Sequence, residues 1–369
     1  MAICSALWSH ARMNVQGEVL PCCRWDADDN AVVPRIADGI QSALDSNYFN
    51  SIRERMISGE ELPECRQCTN EEINGTTSMR EKLNDMYGQH ISKKPKLRYI
   101  ELAFSTHCNL ACRMCGEDFS SKWKLINNPK LTVDTSVEAF DIEKYDIDLS
   151  ELELIKVVGG EPFLSKNHYD YLDKFVTQSD NPENVTIIYH TNGTIFPNKN
   201  IIEYWKKLKR VHIAVSVDGY GKLNDNLRPG SSWETVNSTI EKFKNIKDVN
   251  ITMGAHSVVT SLNVLQLPKL IEWTMKTFGS LGGFDVARYP EHLSVVHLGN
   301  REKDKIRHGI SLMKKHVGDV EKTQSAFGIL EDALDEDTDK MYTYEDIAQR
   351  EEKLDKYFKQ EFWDNIENV

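Results

Sequence analysis

The chain has 369 residues, of which 40% are hydrophobic and 28% are charged. Its 45 Lys and Arg residues against 57 Asp and Glu residues give a formal net charge of −12. An acidic surface repels phosphate backbones and anionic lipid, so we expect neither a nucleic-acid nor a membrane partner. No apolar run approaches the roughly 20 residues of a membrane helix, and the first residues do not resemble a secretion signal, which predicts a cytoplasmic protein.

Residues 1–96 are predicted to form a small irregular domain with short helices. Apolar residues at helical spacing predict one helix at 44–59 and a second at 78–90. The charged, Pro-containing segment 93–96 is interpreted as a hinge before the next apolar run.

The pattern changes at residue 97. Short apolar runs then alternate with amphipathic segments, which predicts repeated βα units and a parallel sheet. The predicted strands are 97–104, 151–160, 185–193, 210–219, 250–259 and a sixth within 282–298. The predicted helices between them are 167–178, 199–209, 234–246 and 264–278. We therefore expect an α/β fold with a partial (β/α)6 TIM-like barrel over residues 97–299.

Two further segments are charge-rich. Residues 117–150 are predicted to form a polar insertion between the first and second barrel strands. Residues 300–369 are predicted to form a helical extension with helices at 304–317, 325–336 and 345–366. We interpret the extension as a solvated tail that caps the barrel or pairs with another subunit.

The eight cysteines all lie in the first third of the chain. Thiols stay reduced in the cytoplasm, so this clustering calls for a reason other than disulfides. One group, spaced CxxxCxxC, is Cys108, Cys112 and Cys115. The other is Cys4, Cys22, Cys23, Cys65 and Cys68.

Two thiolates separated by two residues can bind one metal centre, either zinc or an iron–sulfur cluster. Four thiolates from the larger group would satisfy a closed tetrahedral zinc site. The three thiolates of the smaller group would leave one coordination position open, because ligation by the adjacent His107 is awkward. An open position is what a catalytic centre needs.

Polar residues follow the predicted strands where each one ends. Gly159, Gly160 and Glu161 follow the second strand, residues 190–193 end the third, and Ser216 with Asp218 ends the fourth. Parallel strands bring such residues to one edge of the sheet, next to the CxxxCxxC loop that follows the first strand.

The motifs STHCNLACRMC (105–115), VVGGEP (157–162), TNG (191–193) and SVDG (216–219) occur in this order. Together they resemble the radical SAM superfamily, and the resemblance covers roughly residues 97–298. It implies that Cys108, Cys112 and Cys115 bind a [4Fe–4S] cluster whose fourth iron is left for S-adenosylmethionine (SAM). Reductive cleavage of SAM would then release methionine and a 5′-deoxyadenosyl radical.

The resemblance also implies residues that bind SAM. Gly159, Gly160 and Glu161 would run beside its methionyl amino group, with Glu161 accepting from the ammonium. Ser216 matches the position that contacts the ribose or carboxylate.

Three further candidates keep a second interpretation. Arg228 either binds the SAM carboxylate or is a surface arginine before a Pro-Gly turn. Met114 stands where many relatives have an aromatic residue near the adenine, and it can pack on a purine face. Asn192 either holds the carboxylate or caps a turn, and the turn is slightly favoured.

The amino-terminal cysteines lie in a segment similar to the SPASM or twitch auxiliary-cluster module, which in most relatives follows the barrel and here precedes it. The resemblance implies that Cys4, Cys22, Cys65 and Cys68 bind a second, auxiliary [4Fe–4S] cluster of the closed, electron-relay type. Cys23 would replace Cys22 or be a spare thiol. Zinc remains the alternative metal.

The function implied is hydrogen abstraction from a peptide or protein side chain, with a flavodoxin or ferredoxin as electron donor. One alternative is a radical SAM enzyme acting on a nucleotide or sugar. Another is a non-catalytic, zinc-stabilised binding protein. The resulting division is 1–96 for the auxiliary-cluster domain, 97–299 for the barrel and 300–369 for the extension.

Overall fold

The computed structural model describes residues 3–28, 30–73, 75, 77–131, 150–317, 321–336 and 338–360. Most of the predicted insertion at 117–150 lies outside the described residues, and so does the end of the last predicted helix, 345–366.

The amino-terminal region consists of short helices and one hairpin. Its elements are α1 (Ala6–Ser9), β1 (His10–Met13), β2 (Val19–Leu20), α2 (Ile40–Leu44), α3 (Asn47–Ile57), α4 (Arg66–Ile73) and α5 (Met79–Tyr87). Both helices predicted here are observed, as α3 and α5. Ser46 caps the first of them by accepting from the amide of Phe49, and Ser78 begins the second in a capping box with Glu81.

The six predicted barrel strands are all observed, and they pair in parallel in chain order. They are β3 (Tyr99–Ala103), β4 (Leu154–Val158), β5 (Thr186–Thr191), β6 (Arg210–Ser216), β7 (Ile251–Val259) and β8 (Gly283–Val286). The helices around them are α6 (Ser121–Asn127), α7 (Lys166–Gln178), α8 (Lys199–Trp205), α9 (Lys222–Leu227), α10 (Trp233–Lys244) and α11 (Leu267–Phe278). The α/β fold with a partial barrel is confirmed.

The two faces of the sheet differ because side chains alternate along each strand. In β5, Tyr189 is fully buried, and its hydroxyl accepts from Trp205 of α8 at 3.1 Å, so this face meets the helices. His190, the next residue, is only partly buried and lies on the opposite face. That second face is the interior of the barrel.

The hairpin of the amino-terminal region extends the barrel sheet. β1 pairs with β3 in parallel, with Ala11 opposite Ile100, so the full order is β2-β1-β3-β4-β5-β6-β7-β8. The amides of Lys96 and Arg98 donate to the carbonyls of Trp8 and Ser9, both at 2.9 Å. The predicted hinge at 93–96 therefore leads directly into the hydrogen bonds that join β3 to β1.

The carboxy-terminal extension forms α12 (Asn300–Val317), α13 (Glu321–Asp335) and α14 (Tyr344–Phe358). Its apolar residues are not solvated: Ile310, Leu334 and Ile347 are fully buried in the same hydrophobic core as the barrel strands. Burial of these side chains fixes the extension against the barrel. Among the described helices, none combines the length and apolar composition needed to cross a bilayer.

Candidate functional site

The loop that carries Cys108, Cys112 and Cys115 is held in place by bonds to its backbone. The amide of Ala111 donates to Pro229 O at 3.0 Å, and that of Arg113 donates to Leu227 O at 2.9 Å. Trp123 in α6 donates from Nε1 to Cys112 O at 3.0 Å. The conformation of the loop is therefore set by segments more than 100 residues away as well as by its neighbours.

The three thiols of this loop converge. Burial, together with the nearby Cys112, raises the pKa of Cys108 and of Cys115 to about 12. Buried, mutually repelling thiols resist ionisation unless a positive centre lies between them. This donor set fits a metal cluster, which would supply that charge.

Gly159 and Gly160 bring the end of β4 against the cysteine loop. The amide of Gly160 donates to Ser105 O at 2.8 Å, and that of Glu161 donates to His107 O at 2.7 Å. A Cβ at Gly160 would lie 2.2 Å from His107 O, so no side chain fits there. The close approach that the glycines permit is to the backbone of this loop.

The carboxylate of Glu161 is directed into the protein. It accepts from Thr191 Oγ1 and from the amide of Asn192, both at 2.8 Å, and from the amide of Phe163 at 3.3 Å. Only 1% of the residue is exposed, and burial raises its pKa to about 7 although these hydrogen bonds lower it. Glu161 thus joins the ends of β4 and β5.

Asn192 serves the turn that follows β5. Its Oδ1 accepts from the amide of Thr194 at 2.9 Å, and its Nδ2 donates to Asn109 Oδ1 at 2.9 Å. Nδ2 also lies 3.9 Å from Cys108 Sγ. Asn192 therefore caps the turn and, through the same amide, contacts the cysteine loop.

Arg228 is buried beside the thiols. Its Nε donates to Asp218 Oδ2 at 2.7 Å, and its Nη1 lies 3.6 Å from Cys112 Sγ. Burial alone would lower the pKa of Arg228, but the Asp218 carboxylate and Cys112 raise it. Asp218, fully buried, also accepts from the amide of Val258 at 2.8 Å. The surface interpretation of Arg228 does not match its burial.

Two remaining SAM candidates border the same edge. Ser216 is the last residue of β6, is partly buried and stands opposite His256 of β7. Met114 is partly buried against the main hydrophobic core. Ser216 lies at the rim of the barrel, the edge formed by the carboxyl ends of its strands, and Met114 lies in the cysteine loop next to it.

Four amino-terminal cysteines also converge. Burial, together with interactions with Cys65 and Cys68, raises the pKa of Cys4 to about 12. Burial likewise raises the pKa of Cys22, with Cys4 and Cys68 among its neighbours. These four thiols come from the start of α1, the end of β2 and the start of α4.

Cys23 is placed differently. Its charged neighbours are Glu101, Lys156, Arg24 and Arg12, which belong to the barrel interior and its rim. The structure thus groups Cys22 with the other amino-terminal thiols and turns Cys23 towards the barrel.

In the described part of the chain, no three His, Cys, Asp or Glu side chains are gathered as closely as a single metal ion requires.

Charged residues line the barrel interior, and the sequence analysis missed them. Glu101 in β3, 3% exposed, lies 2.9 Å from Lys156 Nζ and 3.4 Å from Arg12 Nε. Their signal in the sequence is an ionisable residue inside each apolar strand, as in YIELA and LIKVV.

A second charged group lies between the two ends of the sheet. Asp285 of β8 is 3.3 Å from His256 Nε2 and 3.2 Å from Arg24 Nη2. Arg24 follows β2 in the chain, so this ion pair connects opposite edges of the open sheet. A cleft of about 850 Å³ begins here, lined by the amino-terminal region, by β8 and by α13.

Arg113, between Cys112 and Cys115, is the other residue that was missed. It is 4% exposed and pairs with Glu351 and Asp355 of α14. An arginine inside the cysteine motif and two carboxylates four residues apart in a distant helix were the available signals.

Two parts of the chain match known protein families. Residues 102–270 match the Radical SAM superfamily, and residues 4–69 match SPASM, an iron–sulfur cluster-binding domain. No curated protein sequence matches the chain.

Solved structures with a similar fold include native anSMEcpe with bound AdoMet, at 18% identity and a TM-score of 0.42 over 60% of each chain. Streptococcus suis SuiB bound to S-adenosylmethionine has 11% identity and a TM-score of 0.38, over 83% of this chain and 68% of that one. SuiB bound to its precursor peptide SuiA has 15% identity and a TM-score of 0.37, over 58% and 46%. The chain thus spans less than two thirds of the length of anSMEcpe.

Proposed function

The chain belongs to the radical SAM superfamily and carries an amino-terminal SPASM domain, and from this premise we propose an enzyme that cleaves SAM reductively and abstracts hydrogen from a substrate. When bound, the cluster supplies the electron that splits SAM into methionine and a 5′-deoxyadenosyl radical. The observation that carries the proposal is that three partly buried thiols of one loop after β3 lie close enough to interact, beside the amide of Asn192 and the guanidinium of Arg228.

Cys108, Cys112 and Cys115 would hold three irons of the SAM-binding [4Fe–4S] cluster. Arg228 keeps its charge beside them because Asp218 stabilises it, and it has donors beyond the one that Asp218 uses. Those donors are proposed to bind the SAM carboxylate, since a guanidinium fits a carboxylate in a bidentate manner. Ser216 and Met114 would contact the ribose and the adenine.

Gly159, Gly160, Glu161 and Asn192 are proposed to shape this SAM site. Gly160 lets β4 approach the cysteine loop, and Glu161 fixes the backbone of β5 at Asn192. The Glu161 carboxylate already accepts three hydrogen bonds within the protein. The ammonium group of SAM would therefore contact the strand ends that Glu161 holds in place.

Cys4, Cys22, Cys65 and Cys68 are proposed as ligands of an auxiliary [4Fe–4S] cluster. Four thiolates leave no iron open for substrate, which favours a role in electron transfer. Cys23 is not among the proposed ligands, because its charged neighbours lie on the barrel side.

The proposed substrate is a peptide or protein side chain. The cleft lined by Arg24 and Asp285 has a volume of about 850 Å³, is bounded by three regions of the chain and is open to solvent. Such a cleft has room for a side chain together with its flanking backbone. The proposed electron donor is a flavodoxin or a ferredoxin. The proposed location of the protein is the cytoplasm.

The test is anaerobic reconstitution followed by reduction with SAM present. We expect a brown protein with two clusters, and 5′-deoxyadenosine formed above background when a library of short linear peptides is added. Nucleotides and sugars serve as the matched small-molecule set. Stimulation by that set and not by peptides would replace the peptide proposal with the metabolite one. A colourless protein with two zinc ions per chain would overturn the proposed enzyme altogether.

A further inference from the structure

Arg113 lies inside the cysteine motif, and its guanidinium is buried. Nε donates to Asn226 O at 2.9 Å, and Nη1 donates to Glu351 Oε2 at 2.7 Å. Nη2 donates to Asp355 and, at 2.9 Å, to Gln360 Oε1. Three of these four acceptors belong to α14 and the residues just after it, more than 230 positions along the chain.

Apolar contacts connect the same two segments. Leu354 of α14 packs with Ala111 of the cysteine loop and Ile126 of α6, and Trp123 and Phe358 cover this small cluster. Trp123 is also the residue that donates to the carbonyl of Cys112. The helix therefore contacts the loop on both sides of Cys112.

α14 is itself anchored to the barrel. Glu351 accepts from Arg113 with one oxygen, and its other oxygen lies 2.8 Å from His292 Nε2. At the start of the helix, the hydroxyl of Tyr344 donates to Ser261 O at 3.1 Å. A helix held at both of these points presents its carboxylates at fixed positions.

The cost of losing these contacts falls on the cysteine loop. Without the carboxylates of α14, the buried charge of Arg113 would keep only the neutral acceptors Asn226 O and Gln360 Oε1, and a buried charge without an opposite charge is strongly unfavourable. The loop would have to move to hydrate the guanidinium. Cys112 and Cys115 flank Arg113, so both thiols would move with it.

We propose that Arg113 is a positioning residue and that α14 completes the SAM-cluster site, so that retention of this cluster depends on the carboxy-terminal extension. The inference rests on the proposed function. The amino-terminal thiols have no contact with α14 among the described interactions, and their cluster is independent of it. On this proposal the extension contributes to the SAM-cluster site through α14.

The experiment compares full-length holoenzymes, reconstituted without oxygen. Glu351→Gln with Asp355→Asn removes both charges at nearly unchanged shape, and Glu352→Gln is the matched control because that side chain is 59% exposed on the same helix. Iron release to a chelator is followed, and electron paramagnetic resonance assigns it to each cluster. We expect the SAM-site cluster of the double variant to be lost about tenfold faster or more, with the auxiliary cluster and the control unchanged.

Arg113→Lys and Arg113→Met separate charge pairing from packing. Lysine keeps one charged contact, so Arg113→Lys should retain part of the wild-type cluster stability and part of the spectral change on SAM addition. Arg113→Met should retain neither. In cluster-free Arg113→Met, amide hydrogen exchange should rise together in residues 104–116 and 344–358. Equal retention of the SAM-site cluster in the double variant and the control would overturn the inference, and so would equal loss of both clusters.

Failure of the proposed function would look different. In that case wild-type protein would hold no SAM-responsive cluster at Cys108, Cys112 and Cys115. The coupled exchange of the loop and α14 would still be measurable in such a protein.

Discussion

The two thiol groups of this chain are built in different ways. The amino-terminal group gathers Cys4, Cys22, Cys65 and Cys68 from a single stretch of 65 residues, around helices that begin with their own caps. The cysteine loop at 104–116 holds its thiols within eight residues, but Pro229, Asp218 through Arg228, and Glu351 fix its position. A site with local contacts depends on one segment, whereas a site at a sheet edge depends on many.

The two thiol groups also differ in the charged residues beside them. Two buried arginines stand beside the loop thiols. Arg113 pairs with Glu351 and Asp355 of α14, and Arg228 pairs with Asp218 just after β6. A buried arginine without such partners would destabilise the loop. Binding of the cluster that is proposed to react with SAM is therefore more sensitive to substitutions in distant parts of the chain.

The largest expected effect comes from removing one set of thiols at a time. Replacing Cys108, Cys112 and Cys115 by Ala should abolish 5′-deoxyadenosine formation and lower bound iron by about one cluster, because the variant lacks all three proposed ligands of the SAM-binding cluster. The amino-terminal cluster should keep its spectrum. Iron analysis and electron paramagnetic resonance provide the measurement. SAM cleavage that persists in this variant would contradict the assignment of the site.

The next prediction distinguishes adjacent cysteines. Cys22→Ser should remove the iron of the amino-terminal cluster, while Cys23→Ser should leave it, because Cys22 interacts with Cys4 and Cys68 whereas Cys23 interacts with Glu101 and Lys156 of the barrel. Iron content of the two purified variants is compared. Equal loss in both would mean that the backbone at this pair rearranges when the cluster binds.

The pH dependence of stability should report on Glu161. Its pKa is raised by burial from 4.5 to about 7, so the folded state binds more protons than the unfolded state between these values, and stability falls as pH rises through this window. The loss should approach about 3 kcal/mol above the folded pKa, at 1.36 kcal/mol per pKa unit. Denaturant unfolding of the cluster-free protein at pH 4.5 and at pH 8 measures it.

Glu161→Gln serves as the reference for that measurement. The amide keeps an oxygen for the Asn192 amide but carries no charge, so the difference between wild type and variant isolates this group. A difference that does not change with pH would show that Glu161 stays charged in the folded protein.

The smallest expected effect concerns the glycine beside the loop. Gly160→Ala should cost about 1–3 kcal/mol of folding free energy, because its Cβ would lie 2.2 Å from His107 O and forces the loop away. Gly116→Ala is the control, since nothing lies within 4 Å of its Cβ position. Thermal unfolding of the cluster-free variants compares them. Equal stability would mean that the loop yields without strain.

Much of the fold could be read from the chain. The six strands, the helices between them and the order of the rim motifs follow from apolar periodicity and from capping residues, which act over a few positions. The same holds for the CxxxCxxC loop, whose spacing is a property of one short segment. The hairpin β1–β2 could not be placed, because its four- and two-residue strands match the pattern of a loop, and only pairing with β3 gives them partners.

The sequence by itself determined which side chains carry the chemistry: thiols in two groups, and polar residues after parallel strands. The tertiary structure decided which of them face each other. It turned the carboxylate of Glu161 into the protein, buried Arg228 against Asp218, separated Cys23 from Cys22, and brought α14 to Arg113. Long-range pairing of this kind depends on how distant surfaces pack and on the cost of burying a charge alone, and neither is encoded in local periodicity.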